Sequence, residues 1–379
     1  MSNVTARIYA ELKGDKAIWA ILVLLAIFSI LAVYSSTGTL AYRERGGNTE
    51  AFLMKHTIIL FGGLFVTYIA HTLQYSYYSR IAPVLLLISV PLLAYTITAG
   101  VDINDARRWL ALPFVGITVQ TSDFAKLALI IYVARAISAK QDYIKDFNNA
   151  FLPIIVPVLI ICGLIAPADL SSAALLFLTC MFMMFIGRVA LKYIMVLLLW
   201  GVVVFAILIV LGKFYPDKVR VDTWTSRVED FMNKPDGGYQ VQQAKIAIAN
   251  GGVFGKGPGN STQRNFLPSP YSDFIYAIIC EEYGLLGGMA IIALYILLFF
   301  RVVRLVTKSP KAFGAMLAMG LSVNMIIQAF ANIAVSVHLV PVTGVTLPMI
   351  SMGGTSMLFT SLAFGIILSV SKYIETVAD

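Results

Sequence analysis

Charged residues are scarce in this chain: Asp, Glu, Lys and Arg make up only 13% of its 379 residues, whereas 59% are hydrophobic. A water-soluble globule of this length needs much more polar surface, so the composition excludes a soluble protein. Cysteine is equally scarce. Cys162, Cys180 and Cys280 all fall in apolar runs, which argues against a disulfide framework and against a zinc site.

The chain does contain repeated apolar runs of about 20 residues, the length of a helix that crosses a bilayer. The strands of a membrane barrel would instead alternate apolar and polar residues. We therefore predict an all-α polytopic membrane protein with one transmembrane domain over residues 1–379. Ten spans are expected, at residues 17–36, 56–74, 81–99, 123–139, 151–167, 171–187, 191–211, 273–303, 312–337 and 354–373.

The distribution of Lys and Arg gives the orientation of the chain. These residues are more frequent in the short segments on the side of the N-terminus than in the short loops opposite, so both termini, 1–16 and 374–379, are predicted to be cytoplasmic. The long loop at about 212–272 then faces outward. Its net positive charge has two interpretations: a solvated loop with scattered charges, or a binding surface for an anion.

Two features of this loop favour the interpretation that it binds an anion. Residues 241–250 have the pattern of an amphipathic helix that could lie on the bilayer surface. The glycine-rich stretch 251–261 then offers flexible backbone amides beside Lys256, a candidate phosphate nest, although its spacing matches neither a Walker loop nor a dinucleotide fingerprint. Arg264 is a further basic candidate in the same region.

One acid, Asp273, lies where the polar loop meets the eighth span. A carboxylate at such a junction faces water on one side and buried protein on the other, so it is suited to moving a proton on an amphiphilic substrate. Glu281 and Glu282 follow inside the span, where two adjacent acids need partners. A buried network is the preferred interpretation of this pair.

Other charges near the outer ends of the spans are further candidates. Asp123 and Lys126 are three residues apart and share a helix face, either as a structural ion pair or as a cationic wall of a cavity. Arg107 and Arg108 precede Trp109 in an outer loop and could clamp a diphosphate or bind lipid headgroups. Asp169 is expected to cap the sixth span.

Residues 341–356 contain two prolines and three glycines, so this stretch cannot be a regular span. Irregular backbone at membrane depth is tolerated only where protein or a water-filled cavity covers it. We therefore expect this segment, with Ser351 as a substrate contact, to form another wall of the outward cavity. His338, just before it, is either a satisfied polar side chain or a proton carrier.

A set of motifs runs in order along nearly the whole chain. They are ARRWL at 106–110, TSDFAK at 121–126, GKGPGNS and FLP before SDFIYAIICEEYG at 272–284, and PVTG, TLP and SMGGTS within 341–356. This set resembles the SEDS family, the polytopic peptidoglycan polymerases of shape, elongation, division and sporulation. The GNSTQRNFLP segment and TLP favour the division branch, whereas PVTG leans toward the elongation branch.

This resemblance implies a glycosyltransferase that joins lipid II units outside a bacterial cytoplasmic membrane. It places the essential aspartate at Asp273 and an acid and lysine pair at Asp123 and Lys126, where the family has the longer glutamate. The family's PEAH before the aspartate is absent here, as is the glycine of its DLGT motif at Asp169.

The resemblance also implies partners, namely a class B penicillin-binding protein and other division proteins, with no nucleic acid. A divalent cation, Mg²⁺ or Mn²⁺, is a candidate cofactor for diphosphate departure, and no organic cofactor is expected. Two other functions are considered: a lipid II flippase, and a scaffold without enzymatic activity.

Overall fold

A computed structural model describes residues 13–38, 49–103, 106–111, 118–214, 221–233 and 237–378. Each of the ten predicted spans coincides with one of the helices below, of which the eighth is interrupted at Gly284, and the largest difference is at the second, which begins seven residues earlier than expected. The helices are α1 Lys16–Ser36, α2 Thr49–Thr72, α3 Ser76–Ala99, α4 Thr121–Ala139, α5 Leu152–Ile165, α6 Leu170–Ile186, α7 Leu191–Phe214, α8 Val221–Asn233, α9 Tyr239–Gly251, α10 Ile275–Lys308, α11 Ala312–Ser336 and α12 Thr355–Ala378.

The apolar composition of these helices confirms a polytopic membrane protein. Among the described residues, seven helical segments are long and apolar enough to cross a bilayer, and α6 and the first part of α7 are shorter apolar helices. Helix α4 is more polar because it carries Asp123, Lys126 and Arg135. Most of its residues are buried, and it packs between α3 and α11, so the surrounding helices shield these charges from lipid.

Polar contacts along α1 define the two ends of the bundle. At one end Asp15 accepts hydrogen bonds from Arg301 at the far end of α10, with the shortest contact at 2.6 Å, and the Gly14 amide donates to Glu375 near the end of α12 at 2.8 Å. At the other end, Ser35 donates to Glu282 near the start of α10. Asp273 therefore lies at the end of the bundle opposite both Gly14 and Glu375. We call the end with Asp273 the outer end.

A small antiparallel sheet covers part of the outer end, which the all-α prediction missed. Its strands β1 Val101–Ile103, β2 Ala106–Ala111 and β3 Thr118–Gln120 are arranged in that order. Trp109 of β2 is paired with Val101 on one side and with Gln120 on the other. Strands this short carry little periodicity, so a sequence pattern cannot distinguish them from a loop.

The described part of the long loop contains the α-helices α8 and α9. The prediction that residues 241–250 lie on the bilayer surface is wrong: Val241, Ala244 and Ala247 are buried, and α9 packs along α10. Its apolar face joins a small cluster with Leu267, Phe274 and Ile278. The apolar face of this helix is therefore covered by protein and not by lipid.

Helix α10 is broken at Gly284, where hydrogen bonds to the glycine-rich loop take the place of hydrogen bonds within the helix. Gly284 has φ +67°, and the loop pairs with the backbone on both sides of it. The amides of Lys256 and Gly257 donate to the carbonyls of Glu281 and Glu282 at 3.0 and 2.9 Å. In return, the amides of Leu285 and Leu286 donate to Gly252 and Val253 at 2.9 and 3.3 Å. The eighth span is therefore two helices joined by a loop-stabilised break.

We predict that Gly284→Ala destabilises the protein by at least ~2 kcal/mol, because left-handed backbone is costly for alanine and a Cβ at Gly284 would lie 2.2 Å from the Val253 carbonyl oxygen. Gly62→Ala is the matched control, since a Cβ there meets no atom within 4 Å and alanine favours a helix. Denaturant titration in mixed micelles measures both. Equal stability of the two variants would contradict the importance of the break.

Candidate functional site

Asp273 is held at the outer end by contacts from two elements, α11 and the irregular segment after it, to its backbone and to the residues before it. The side-chain amide of Asn332, on α11, donates both to the Asp273 carbonyl at 2.7 Å and to the Val345 carbonyl at 2.8 Å. The irregular segment binds the preceding residues: the Ser351 hydroxyl donates to the Ser272 carbonyl at 2.6 Å, and the Met352 amide to Tyr271 at 2.9 Å. These contacts fix the backbone and leave the carboxylate free to act.

The Asp273 carboxylate itself is poorly compensated. Its Oδ1 atom is buried and accepts no hydrogen bond from the residues that the structure describes. Burial raises the pKa of Asp273 from 3.8 to about 6, while a hydrogen bond to its own backbone and the charge on Arg227 oppose part of that rise. A carboxyl group with a pKa near 6 is ionised at neutral pH and is a stronger base than an ordinary aspartate.

A cavity of about 140 Å³ lies in the outer region, between α8, the start of α9 and the segment after α11. Arg227, whose charge acts on Asp273, is among the residues that line it. Another is His338, which has φ +61° and packs its ring edge to face against Phe231 at 5.1 Å. The cavity therefore lies within electrostatic reach of Asp273 and combines aromatic with charged side chains.

Glu281 and Glu282 form the buried network that the sequence favoured. Both are almost completely buried, at 0% and 1% exposure. The amides of Thr262 and Gln263 donate to Glu281 at 3.2 and 3.1 Å, and the Ser261 amide donates to Glu282 at 3.2 Å. The loop after the glycines is thus a nest of amides around protein carboxylates.

The amides beside Lys256 that the sequence offered as a phosphate nest already have acceptors: those of Gly255, Lys256 and Gly257 donate to carbonyls within the protein, which weakens that prediction. The Lys256 ammonium lies 2.7 Å from Glu281 and 3.0 Å from the Thr262 hydroxyl, so its charge is largely neutralised. The Arg264 guanidinium donates to the Ser35 carbonyl at 3.0 Å and ties the loop to the end of α1. Both cations stabilise the loop through these contacts.

Asp123 and Lys126 form the expected ion pair, with 2.9 Å between Nζ and Oδ1. Both residues are buried, and Asp123 Oδ2 accepts no hydrogen bond within the described part of the chain. The start of α4 is joined to the start of α12 by a hydrogen bond of 3.2 Å from the Gln120 amide to Thr355. The pair therefore borders the outer end, but within the described residues no hydrogen bond or ion pair joins it to the Asp273 side chain.

Arg108 ties the small sheet to the turn before α6. Its guanidinium donates to the Ala168 carbonyl at 2.8 Å and to Asp169 at 3.1 Å. Asp169 also caps α6 as predicted, accepting from the Ser172 amide at 3.0 Å. Arg108 is therefore not a free diphosphate clamp. The side chain of Arg107, in the same strand, lies outside what the structure describes.

Ser351 is buried at 3% exposure, and its hydroxyl bridges Ser272 and the Leu347 amide. The hydroxyl positions the backbone before Asp273, and its contact with substrate stays a prediction. The expectation of irregular backbone over 341–356 is confirmed up to α12, with Met349 at φ +64°. Sequence reasoning missed Asn332 and Arg227, since neither lies in a recognisable motif.

The described residues contain no group of three or more His, Cys, Asp or Glu side chains that could hold a metal ion. The carboxylates at the outer end are instead separated by their own partners. Asp123 is paired with Lys126, Asp169 with Arg108, and Glu281 with Lys256. Asp273 therefore differs from these acids in having no ion-pair partner at salt-bridge distance among the described residues.

Comparison with known proteins gives the family. A profile of cell cycle proteins that groups FtsW, RodA and SpoVE matches residues 15–376. The chain belongs to this FtsW/RodA/SpoVE family. The match includes every described helix that contributes to the site, so family membership rests on the whole bundle and not on one motif.

Relatives within the FtsW/RodA/SpoVE family match along most of their length. The chain is 33% identical to a probable peptidoglycan glycosyltransferase FtsW of Trichlorobacter lovleyi, over 98% of this chain and 96% of that protein. It is 33% identical to a protein of the same description from Nitrosococcus halophilus, over 86% and 84%. It is 30% identical to stage V sporulation protein E of Bacillus subtilis, over 95% and 97%.

Solved structures support the FtsW/RodA/SpoVE fold. A chain from a peptidoglycan synthase complex that coordinates polymerization and crosslinking superposes with a TM-score of 0.73 at 23% identity, covering 95% of this chain and 98% of that one. The rod shape determining protein RodA of Thermus thermophilus gives 0.68 at 21% identity, covering 94% and 96%.

For the glutamate network, we predict that Glu281→Ala lowers the free energy of unfolding by about 3 kcal/mol or more, because it leaves Lys256 and the loop amides without their acceptor. Lys256→Met should cost less than Glu281→Ala, because Glu281 keeps its donors Ser261, Thr262 and Gln263 when the Lys256 ammonium is removed. Glu229→Ala, which alters an exposed acid of the same loop, serves as the control. Denaturant titration in micelles compares the three; similar losses for all would refute the network's role.

Proposed function

We propose that this protein is a peptidoglycan glycosyltransferase that polymerises lipid II at the outer face of a bacterial cytoplasmic membrane, in septal wall synthesis during division. The observation that carries the proposal is Asp273: a carboxylate at the outer end whose Oδ1 is buried without a partner among the described residues. Relatives at 33% identity carry this activity in their names, which supports the assignment.

In the proposed reaction Asp273 acts as a general base. It takes the proton from the 4-hydroxyl of the acceptor GlcNAc, and the resulting oxygen nucleophile attacks the anomeric carbon of the growing chain's terminal MurNAc. A new glycosidic C–O bond forms while the bond from that carbon to the diphosphate oxygen breaks. Undecaprenyl diphosphate leaves with the bonding electron pair, the configuration inverts, and the proton stays on Asp273 until solvent removes it. General-base assistance contributes about 10²- to 10⁴-fold in rate.

The departing diphosphate needs positive charge nearby. Among the predicted cations, Lys126, Lys256 and Arg108 already face carboxylates, so each is a weaker phosphate ligand than the sequence suggested. Arg227, beside the cavity and within reach of Asp273, becomes an additional candidate. Mg²⁺ or Mn²⁺ remains a candidate cofactor that would take its ligands largely from the substrate, and no step above depends on it.

The same proposal includes the membrane location and the partners of the enzyme. The net excess of Lys and Arg on the side of Gly14 and Glu375 supports cytoplasmic termini in the inner membrane. A class B penicillin-binding protein is the proposed partner, because a structural neighbour comes from a complex that couples polymerization to crosslinking. Lipid II and other division proteins complete the proposed set of partners.

We expect Asp273→Ala to reduce glycan formation from lipid II by about 10²-fold or more, since the general base is lost. Asp142→Ala is the control, because Asp142 is an exposed acid at the other end of the bundle. Purified protein with its partner, incubated with lipid II and analysed by gel, measures both. Full activity of Asp273→Ala would overturn the proposal.

The same variant separates the alternatives. A flippase needs no base, so Asp273→Ala would retain lipid II translocation in reconstituted vesicles. A scaffold would still support division with Asp273→Asn. The polymerase proposal instead requires that both variants lose glycan products while the Asp142→Ala protein retains them.

The pH dependence tests the role of the raised pKa. Because the base acts only as a carboxylate and its pKa is about 6, the rate should fall about tenfold per pH unit below pH 6 and level off above it. Initial rates of glycan formation between pH 5 and 8 give this profile. A rate that stays constant down to pH 5 would show that Asp273 is not the titrating base.

A further inference from the structure

The tip of the glycine-rich loop presents a continuous apolar surface. Phe254 is 81% exposed and Val253 53%, and Leu285 and Leu286 on the adjoining part of α10 are 58% and 57% exposed. The amides of Leu285 and Leu286 donate to the carbonyls of Gly252 and Val253, which holds the tip against this part of α10. Neighbouring Met289 continues the surface along the helix.

The contacts of α1 give the depth of this surface. Glu282 is level with Ser35 at the outer end, and Arg301 is level with Asp15 at the other end. The stretch of α10 between Glu282 and Arg301 has the length of roughly 30 Å expected for a hydrocarbon core. Leu285 and Leu286 lie about one turn inside the outer boundary of that core, and the tip pairs with them directly.

The backbone chemistry of the tip fits this depth. Irregular backbone is tolerated in hydrocarbon only when its polar groups have partners. The carbonyls of Gly252 and Val253 accept hydrogen bonds from α10, and the amides of Lys256 and Gly257 donate to it. The sequence turns polar immediately after the tip, with the Lys256 ammonium directed to Glu281.

We propose that Val253 and Phe254 insert into the outer leaflet and contact lipid acyl chains. The loop thereby becomes a membrane anchor that fixes the height of the outer end relative to the bilayer surface. The occupant is lipid because the surface continues the exposed apolar face of α10 at the depth of the hydrocarbon core. The inference does not depend on the proposed activity, so either can fail without the other.

Spin labelling tests the insertion. Phe254→Cys carries a nitroxide in the otherwise unchanged protein, reconstituted in vesicles of phosphatidylethanolamine and phosphatidylglycerol. The native cysteines are buried, so wild type treated in the same way reports any background labelling. Asn265→Cys, at an exposed polar position of the same loop, is the matched control. Power saturation compares collisions with oxygen, which partitions into lipid, and with a water-soluble nickel chelate.

We expect the label at Phe254 to collide several-fold more with oxygen than with nickel, and the label at Asn265 to show the reverse. Nickel access at Phe254 equal to that at Asn265 would mean a tip in water, and protection from both reagents would mean a tip covered by a second copy of the chain. Either result overturns the proposal. Val253→Cys repeats the measurement if Phe254→Cys does not fold.

Discussion

The outer end of this protein depends on an exchange of backbone hydrogen bonds at Gly284. A helix that breaks inside a bilayer exposes amides and carbonyls that lipid cannot satisfy. Here the glycine-rich loop supplies the missing partners on both sides of the break. The loop and α10 can approach this closely because glycines, Gly255 and Gly284, stand at the contact. A Cβ at Gly255 would lie 2.1 Å from the Glu282 carbonyl oxygen.

Charge pairing follows from the same constraint. Ionised groups are costly in a medium of low polarity, so those at the outer end acquire partners: Lys256 with Glu281, Lys126 with Asp123, and Arg108 with Asp169. The Asp273 carboxylate differs from these three acids: the contacts from Asn332 and Ser351 hold the backbone at Asp273 and Ser272, and no cation lies at salt-bridge distance from the Asp273 side chain among the described residues. A carboxylate without a paired cation binds a proton more readily than one that a cation stabilises.

The sequence predicted the helices well because lipid imposes one requirement, a run of about 20 apolar residues, that is visible without any partner. Asp273 was identifiable for a related reason, since it lies where such a run begins. The roles of Lys256, Arg108 and Ser351 were not, because each depends on a residue distant in the chain. The same separation hid Asn332, whose two acceptors come from different segments.

The contacts of the first helix also bear on how the chain assembles. The Asp15 amide donates to the hydroxyl of Ser371, 356 residues later in the chain, and the Asp15 carboxylate accepts from the Arg301 guanidinium. At the opposite end Ser35 binds Glu282. During synthesis this helix therefore enters the membrane long before its polar partners exist, and waits there with those groups unmatched. The contacts of α1 with α10 and α12 can therefore form only after both of these later helices have been made.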